Sequence, residues 1–426
     1  MTKHDIIMAA FKVWGRKLYL NTSLSDLAQE LGVSKTALYR HFENKQALLD
    51  AMYGCFFDDY TVFIKPAYER SISAEDKSEG FMLMVRAITE YYARNMDAFV
   101  FSLVHVYGNR KLENAGAELS CRGIDMSKIP RMDDHDYPSL LQLVFSTLTF
   151  GEAYFYKYAY TSGEVPPEES IRIMVDTVEK KIAEGLGFRP EQTEVMDFES
   201  LERLVSEENL ARIEDDGLLK AVAGAVAEAG PWNASMEMVA RRSGLSKSGL
   251  YAHFKSKNDM LFQLFLTEMN RIICYAESVT RNSKEPLEQL YLAVIAITFY
   301  FKSRPDFLLA IDWIKMRRLN LGDTIPLRVY RLFADIKIDA LRIWTECGSE
   351  DEKYIVSQWI LFLIVNTLIG WPNRKQAHKK GGAEDGEKRR RCCNLFCGGK
   401  VFDIPNSSIR RLFQFIVLGL RGFKTT

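Results

Sequence analysis

Cysteine is scarce in this chain and scattered. Seven occur among 426 residues, at spacings that form no disulfide framework, which excludes a stapled secreted scaffold and points to a reduced, cytoplasmic protein. The opening MTKHDIIMAAF has none of the parts of a signal peptide. An excess of charge is also missing: 56 Lys and Arg balance 56 Asp and Glu, so any affinity for a polyanion must reside in a local patch. No apolar run is long enough for a membrane. The strongest, Trp359 to Ile369, is about half the roughly 20 residues that a span needs. There is no Gly-rich phosphate loop and no nucleophile motif. Cys392, Cys393, Cys397 and His378 lie close in sequence, but CCxxxC lacks the paired spacing of a zinc site. An enzyme is therefore not expected, nor a catalytic residue, a bound metal or a cofactor. What is present is a globular composition, 47% hydrophobic and 26% charged, at a length that suggests two to four domains.

The chain is organised around a repeat. SKTALYRHFENK, from Ser34 to Lys45, returns 212 residues later as SKSGLYAHFKSK, from Ser246 to Lys257. Aligned without gaps, Leu27–Leu49 and Val239–Leu261 share 10 of 23 positions, which indicates a duplicated structural unit.

Each copy reads as a helix-turn-helix. In the first, Ser23 is an N-cap with Asp26 three residues on. Leu27, Ala28 and Leu31 face one core, Gly32 ends the helix, Val33 plugs the turn and Ser34 caps the next helix. Leu38 and Phe42, at i and i+4, form its buried face. Lys35, Thr36, Tyr39 and Arg40 are left outward, where a second helix of this kind meets the major groove with donors suited to phosphates and base edges. The second copy repeats the plan with Ser235, Val239, Ala240, Gly244, Leu245, Ser246, Leu250 and Phe254. Ahead of the first copy, Ile7, Phe11, Trp14 and Leu18 make one apolar stripe over Lys3 to Leu18.

The pattern S-x-x-[D/M]-[L/V]-A-x-x-x-G-[V/L]-S-K-x-x-L-Y-x-H-F-x-x-K-x-x-[L/M]-L resembles the DNA-binding domain of the tetracycline-repressor (tetR) family, over about 45 residues in each copy. The resemblance implies an all-α fold of two tetR-like units in tandem. Each would have a three-helix DNA-binding head and a helical ligand-binding and dimerisation body, and the two would form an intramolecular pseudo-dimer. It implies DNA contacts for Ser34, Lys35, Thr36, Tyr39, Arg40, His41 and Lys45, and for Ser246, Lys247, Ser248, Tyr251, His253 and Lys257. For His41 and His253 the plainer alternative is capping or packing. The helix that begins near Lys45 also offers its free N–H groups to a phosphate. The implied partners are double-stranded DNA and a small-molecule effector, with further oligomerisation open and no membrane. The function implied is ligand-responsive transcriptional regulation, with repression the expected sign and activation, which also occurs in the family, left open. The alternative is a ligand-binding or scaffold protein whose heads no longer bind DNA.

The expected organisation is a first head at 1–60, a first body at 61–189, an acidic linker at 190–216, a second head at 217–270 and a second body at 271–426. A basic, Gly-rich insertion falls at about 372–404; it reads as a disordered loop or as a reading-frame artefact. Helices are expected over Asp76–Phe101, Ser139–Tyr160 and Glu168–Gly187. In the bodies His105, Tyr107 and Tyr154 are candidate polar handles for an effector, against the alternative that they are core. The linker holds ten acidic residues against two Arg and is expected to present a solvated face. Where the heads differ, Thr36, Ala37 and Arg40 stand against Ser248, Gly249 and Ala252. This predicts unlike half-sites and, from the missing Arg and the added Gly, weaker binding by the second head.

Overall fold

The computed structural model describes residues 2–16, 23–107, 112–130, 140–155, 167–205, 216–317, 350–370 and 404–423. Every regular element among them is helical. Two compact units result. One comprises Met1–Asp133, Thr147–Ala183 and Met316–Asp323; the other comprises Asp134–Ser146, Glu184–Lys315 and Thr324–Thr426.

The first unit opens with α1 (Lys3–Arg16), α2 (Leu24–Glu30) and α3 (Lys35–Tyr39), then the long α4 (Lys45–Ser73). Ile7 and Phe11 of the α1 stripe are buried, as are Leu27 and Ala28. Helix α4 packs along α5 (Lys77–Arg94) through an aromatic cluster of Phe56, Tyr60, Tyr91 and Tyr92. The Tyr91 hydroxyl donates to Asp59 at 2.9 Å. The single helix expected over Asp76–Phe101 is broken at Asn95 into α5 and α6 (Met96–Phe101). The cause is local: the Asn95 side chain donates to the Tyr91 carbonyl at 3.0 Å and its backbone turns to φ −127°, ψ 62°, the competition by which Asn ends helices. A π-helical turn, Ser102–Tyr107, continues α6. Then follow α7 (Leu112–Cys121), α8 (Leu140–Phe155) and α9 (Glu168–Glu184). Arg86 on α5 binds Asp176 and Glu179 on α9, and Arg94 binds Glu168; such exposed pairs contribute little individually. Helix α8 is divided between the units at Ser146/Thr147. Tyr156, Tyr158 and Tyr160, at the end of the expected Ser139–Tyr160 helix, lie outside the described residues.

In the second unit α10 (Pro190–Glu194) and α11 (Phe198–Arg203) precede α12 (Gly217–Asn233), α13 (Met236–Ser243), α14 (Lys247–His253), α15 (Lys257–Thr280), α16 (Pro286–Ser303), α17 (Pro305–Arg317), α18 (Glu350–Gly370) and α19 (Asn406–Leu418). Helix α16 is the core, buried along most of its length, and α15, α18, α19 and α11 pack on it. The apolar run in α18 is thus accounted for as core: Trp359, Ile360, Leu363, Ile364 and Leu368 are buried. Glu268 on α15 sits 3% exposed among Arg271 at 2.6 Å, Tyr300 at 2.9 Å and Arg304 at 3.8 Å. Residues 371–403, which hold nearly all of the basic insertion, lie outside the described residues, as do 318–349.

Part of the acidic stretch is built into this unit. Glu191, Glu194, Asp197 and Glu199 face solvent as expected, but Leu201 and Val205 are buried. Phe198 stands edge-on to Tyr291 and Phe413. Glu202 departs from the expected solvated face. It accepts from Tyr291 Oη at 2.7 Å, Asn406 Nδ2 at 2.9 Å, and Arg410 Nε and Nη2 at 2.5 and 2.9 Å. Just before, the N–H groups of Leu186 and Phe188 donate to the carbonyls of Ile416 and Val417 at 2.9 and 3.1 Å, closing the last turn of α19, whose carbonyls have no partner within the helix. Gly185 makes this approach possible. Its φ is +60°, and a Cβ there would lie 2.5 Å from the Ile416 oxygen, so no other residue fits without displacing the chain.

Candidate nucleic-acid interface

In the first head Ser23 and Asp26 form a reciprocal capping box: Ser23 Oγ accepts from Asp26 N–H at 3.1 Å and Asp26 Oδ2 accepts from Ser23 N–H at 2.6 Å. Gly32 turns the chain at φ 64°, and Val33 N–H returns to the Ala28 carbonyl at 2.9 Å. Ser34 Oγ then accepts from Ala37 N–H at 3.1 Å, starting α3. Leu38 and Phe42 are 0% and 2% exposed. Burying that face turns Lys35, Thr36, Tyr39, Arg40 and His41 to solvent. Tyr39 is 44% exposed, with the Lys35 ammonium 5.8 Å from its ring centroid. Lys45 is half-buried in the first turn of α4, which Asn44 caps. Partial desolvation holds its ammonium below the usual range, with Asp26 opposing.

The second head is the same device. Ser235 Oγ accepts from Met238 N–H at 3.2 Å, Gly244 is left-handed at φ 71°, and Leu245 N–H returns to the Ala240 carbonyl at 3.0 Å. Ser246 caps α14 by accepting from Gly249 N–H at 3.0 Å, and its hydroxyl is 3.0 Å from that of Ser248. Leu250 and Phe254 are buried; Lys247, Ser248, Tyr251 and His253 are exposed, Tyr251 by 50%. Lys257 is half-buried and, like Lys45, lowered by desolvation. One expectation changes: Leu245 is 38% exposed rather than a plug, while Val33 is half-buried. Helix α14 has seven residues against five in α3.

Of the effector candidates, His105 and Tyr107 belong to the π-helical turn and Tyr154 to α8. His105 is 3% exposed in the π-helical turn; its ring is 5.0 Å from that of Phe101, and its carbonyl accepts from the Tyr53 hydroxyl. Tyr154 is half-buried and stacked on Phe150 at 6.0 Å. The Tyr107 side chain lies outside the described residues. Sequence reasoning passed over Glu152, two residues before Tyr154. It is the one acidic residue in the apolar helix α8, and it is 0% exposed with neither oxygen hydrogen-bonded among the described residues.

Burial pushes the Glu152 carboxyl well above the ordinary range, so the folded chain retains that proton. A raised group contributes stability that is complete below its unfolded value, about 4.3, and is lost as pH climbs through the folded value. Glu152→Gln cannot ionise. Its gain over wild type is expected to be larger at pH 8 than at pH 5. Denaturant melts of both proteins at the two pH values measure it; equal gains would show that the carboxyl does not titrate in that window.

Among the described residues no helix is long and apolar enough to cross a membrane, and no group of three or more His, Cys, Asp or Glu is placed to hold a metal ion. The match to a known family falls on the two heads. Residues 6–52 and 218–264 each match the model of bacterial regulatory proteins of the tetR family. The biofilm operon icaADBC HTH-type negative transcriptional regulator IcaR of Staphylococcus aureus is 26% identical over 174 residues, covering 39% of this chain and 90% of that protein. Among solved structures, the fatty acid degradation regulator FadR from Bacillus halodurans aligns with a TM-score of 0.35 at 15% identity, over 48% of this chain and 99% of that one. The tetR family regulator PfmR from Thermus thermophilus aligns with 0.28 at 23%, over 41% and 97%. The two matched segments coincide with α1 to α4 and α12 to α15, the helices that carry the capped turns and exposed tyrosines described above, so the chain carries in tandem two segments that match the tetR-family model.

Proposed function

We propose that this chain is a DNA-binding transcriptional repressor that holds one operator with both of its heads, as an intramolecular pseudo-dimer, and releases it when a small molecule binds the helical bodies. One observation supports the reading above others. Lys35 and Tyr39 are exposed on a short capped helix whose apolar face is buried, with His41 exposed in the turn after it, and Lys247, Tyr251 and His253 are exposed on the matching helix. A merely structural helix pair has no need of the same outward donors twice. Phosphate contacts from Lys45 and Lys257 and base or phosphate contacts from Ser34, Thr36, Arg40, Ser246 and Ser248 complete the two surfaces. Repression is the sign supported by the negative regulator to which the chain is similar. An effector that prefers a head spacing unfit for DNA would weaken operator binding, and DNA would weaken effector binding equally. We place its action in the cytoplasm and assign it no catalysis.

The test is selection of bound duplexes from a random library. The expected product is a motif of two unlike half-sites about 10 base pairs apart, one turn of the duplex. A palindrome would mean that two chains each contribute the same head. No enrichment at low salt would move the protein to the ligand-binding scaffold class. On the selected duplex, Tyr39→Ala and Tyr251→Ala are each expected to weaken binding about 5- to 100-fold, the equivalent of about 1–3 kcal/mol for removing one side chain that touches DNA, in an anisotropy titration. An unchanged affinity for both variants would place the docking surface elsewhere.

A further inference from the structure

The two heads share a fold but not a charge. From Ser23 to Ala47 the first carries three acids, Asp26, Glu30 and Glu43, against three bases, Lys35, Arg40 and Lys45. The matching stretch of the second, Ser235 to Asp259, carries five bases, Arg241, Arg242, Lys247, Lys255 and Lys257, against two acids, Glu237 and Asp259. The changes fall at exposed positions in both heads: Gln29 and Glu30 become Arg241 and Arg242, and Glu43 becomes Lys255. Arg242 is engaged inside its head, paired with Glu228 across α12 and α13. Arg241, Lys247 and Lys255 make no ion pair among the described residues. Lys255 lies in the turn between His253 and Lys257, and its backbone N–H is held by Asp259 Oδ2 at 2.8 Å, which fixes the turn and leaves the ammonium to solvent.

A net-positive surface gains affinity by releasing counterions from the phosphate backbone, whatever the sequence. A charge-balanced surface gains little that way and depends on base-edge contacts. We infer that the heads divide the labour on duplex DNA: the second supplies a charge-driven hold on the phosphates through Arg241, Lys247 and Lys255, and the first, through Thr36 and Arg40, supplies more of the discrimination between sequences. This rests on the reading of both heads as DNA-binding, and it reverses the expectation that the second head binds more weakly. Arg40, replaced by Ala252 in the second head, is exposed at the end of α3 and makes no ion pair among the described residues.

The experiment uses the full chain, a selected duplex and a mixed-sequence duplex, and a KCl titration of affinity on each. Arg241→Gln with Lys255→Gln is expected to lower affinity for both duplexes by the same factor. It is also expected to flatten the slope of log affinity against log salt by about 1.8, at about 0.9 for each phosphate no longer neutralised. Arg40→Gln is expected to compress the ratio between the two duplexes and to change the slope by about 0.9 at most. Glu43→Lys, which gives the first head the residue of the second, is expected to tighten binding to the mixed duplex, a gain that misfolding cannot imitate. Wild type binding with a steep slope that the double substitution leaves unchanged would overturn the division of labour. Wild type binding no duplex at any salt would overturn the DNA-binding reading itself.

Discussion

Glu268→Ala is expected to destabilise the second unit by about 3–5 kcal/mol, the cost of removing one partner from a buried ion pair. The carboxylate is 3% exposed; it accepts from Arg271 on α15 and Tyr300 on α16 and forms a longer ion pair with Arg304 beyond α16. Arg271 and Arg304 are themselves only 16% and 17% exposed. Without Glu268 the Arg271 guanidinium loses its 2.6 Å ion-pair partner in a poorly hydrated site, and the Tyr300 hydroxyl loses its acceptor. Burial, with Glu268 beside it, already pushes the Tyr300 phenol well above its ordinary range, so it cannot compensate by ionising. Hydrogen exchange by mass spectrometry reads the effect on peptides of α15 and α16. A change below about 1 kcal/mol, no more than an ordinary hydrogen bond, would show that the three partners find water or one another instead. The first unit supplies an internal comparison. Tyr91 donates to Asp59 as Tyr300 does to Glu268, each four residues before the residue that ends its helix. Asp59 is exposed, so Asp59→Ala there should cost no more than about 1 kcal/mol.

Glu202→Ala is expected to release α10 and α11 from the second unit, at a cost of about 3 kcal/mol. The side chain is 9% exposed and bidentate to Arg410, with Tyr291 and Asn406 completing its donors. Burial by itself would raise this carboxyl; the bonds from Arg410, Tyr291 and Asn406 outweigh it and hold the group below the ordinary carboxylate range. A lowered group contributes stability that is present above its unfolded value, about 4.3, and is lost as pH falls through the folded value. The attachment should therefore survive at pH 5 and fail only in stronger acid, whereas Glu202→Gln weakens it at every pH. Exchange of peptides spanning 186–205 measures this directly. Protection unchanged in Glu202→Ala would mean that Phe198, Leu201 and Val205 hold the segment by apolar packing alone.

The heads were legible in the sequence because every determinant is local. Ser23 with Asp26, Gly32, Ser34, Leu38 and Phe42 lie within 20 residues of one another, and each acts through the backbone a few residues away. The Glu202 attachment was not legible for the opposite reason. Its partners are 89, 204 and 208 residues distant, and an acid-rich composition says solvent unless one knows that Arg410 and Tyr291 arrive there. Leu245 and Val33 occupy the same register, yet one is 38% exposed and the other half-buried, a difference set by neighbours rather than spacing. Glu152 did leave a signal, a lone acid in LVFSTLTFGEAYF. Periodicity places such a residue on a helix without telling which side of it is wet.

The closure of α19 by Leu186 and Phe188 has a consequence for synthesis. The two donors are made more than 200 residues before the carbonyls they bind. At about 5–20 residues per second, a ribosome needs roughly 10–40 s to cover that distance. Until α19 is made, Phe198 lacks Phe413 and the face of α16 that meets α19 is uncovered. The second unit therefore completes its packing only when α19 arrives on α16 and α18. A message truncated before Asn406 would leave the segment 184–205 without Asn406, Arg410 and the Ile416 and Val417 carbonyls, held only by what α16 offers it, although both heads were already made.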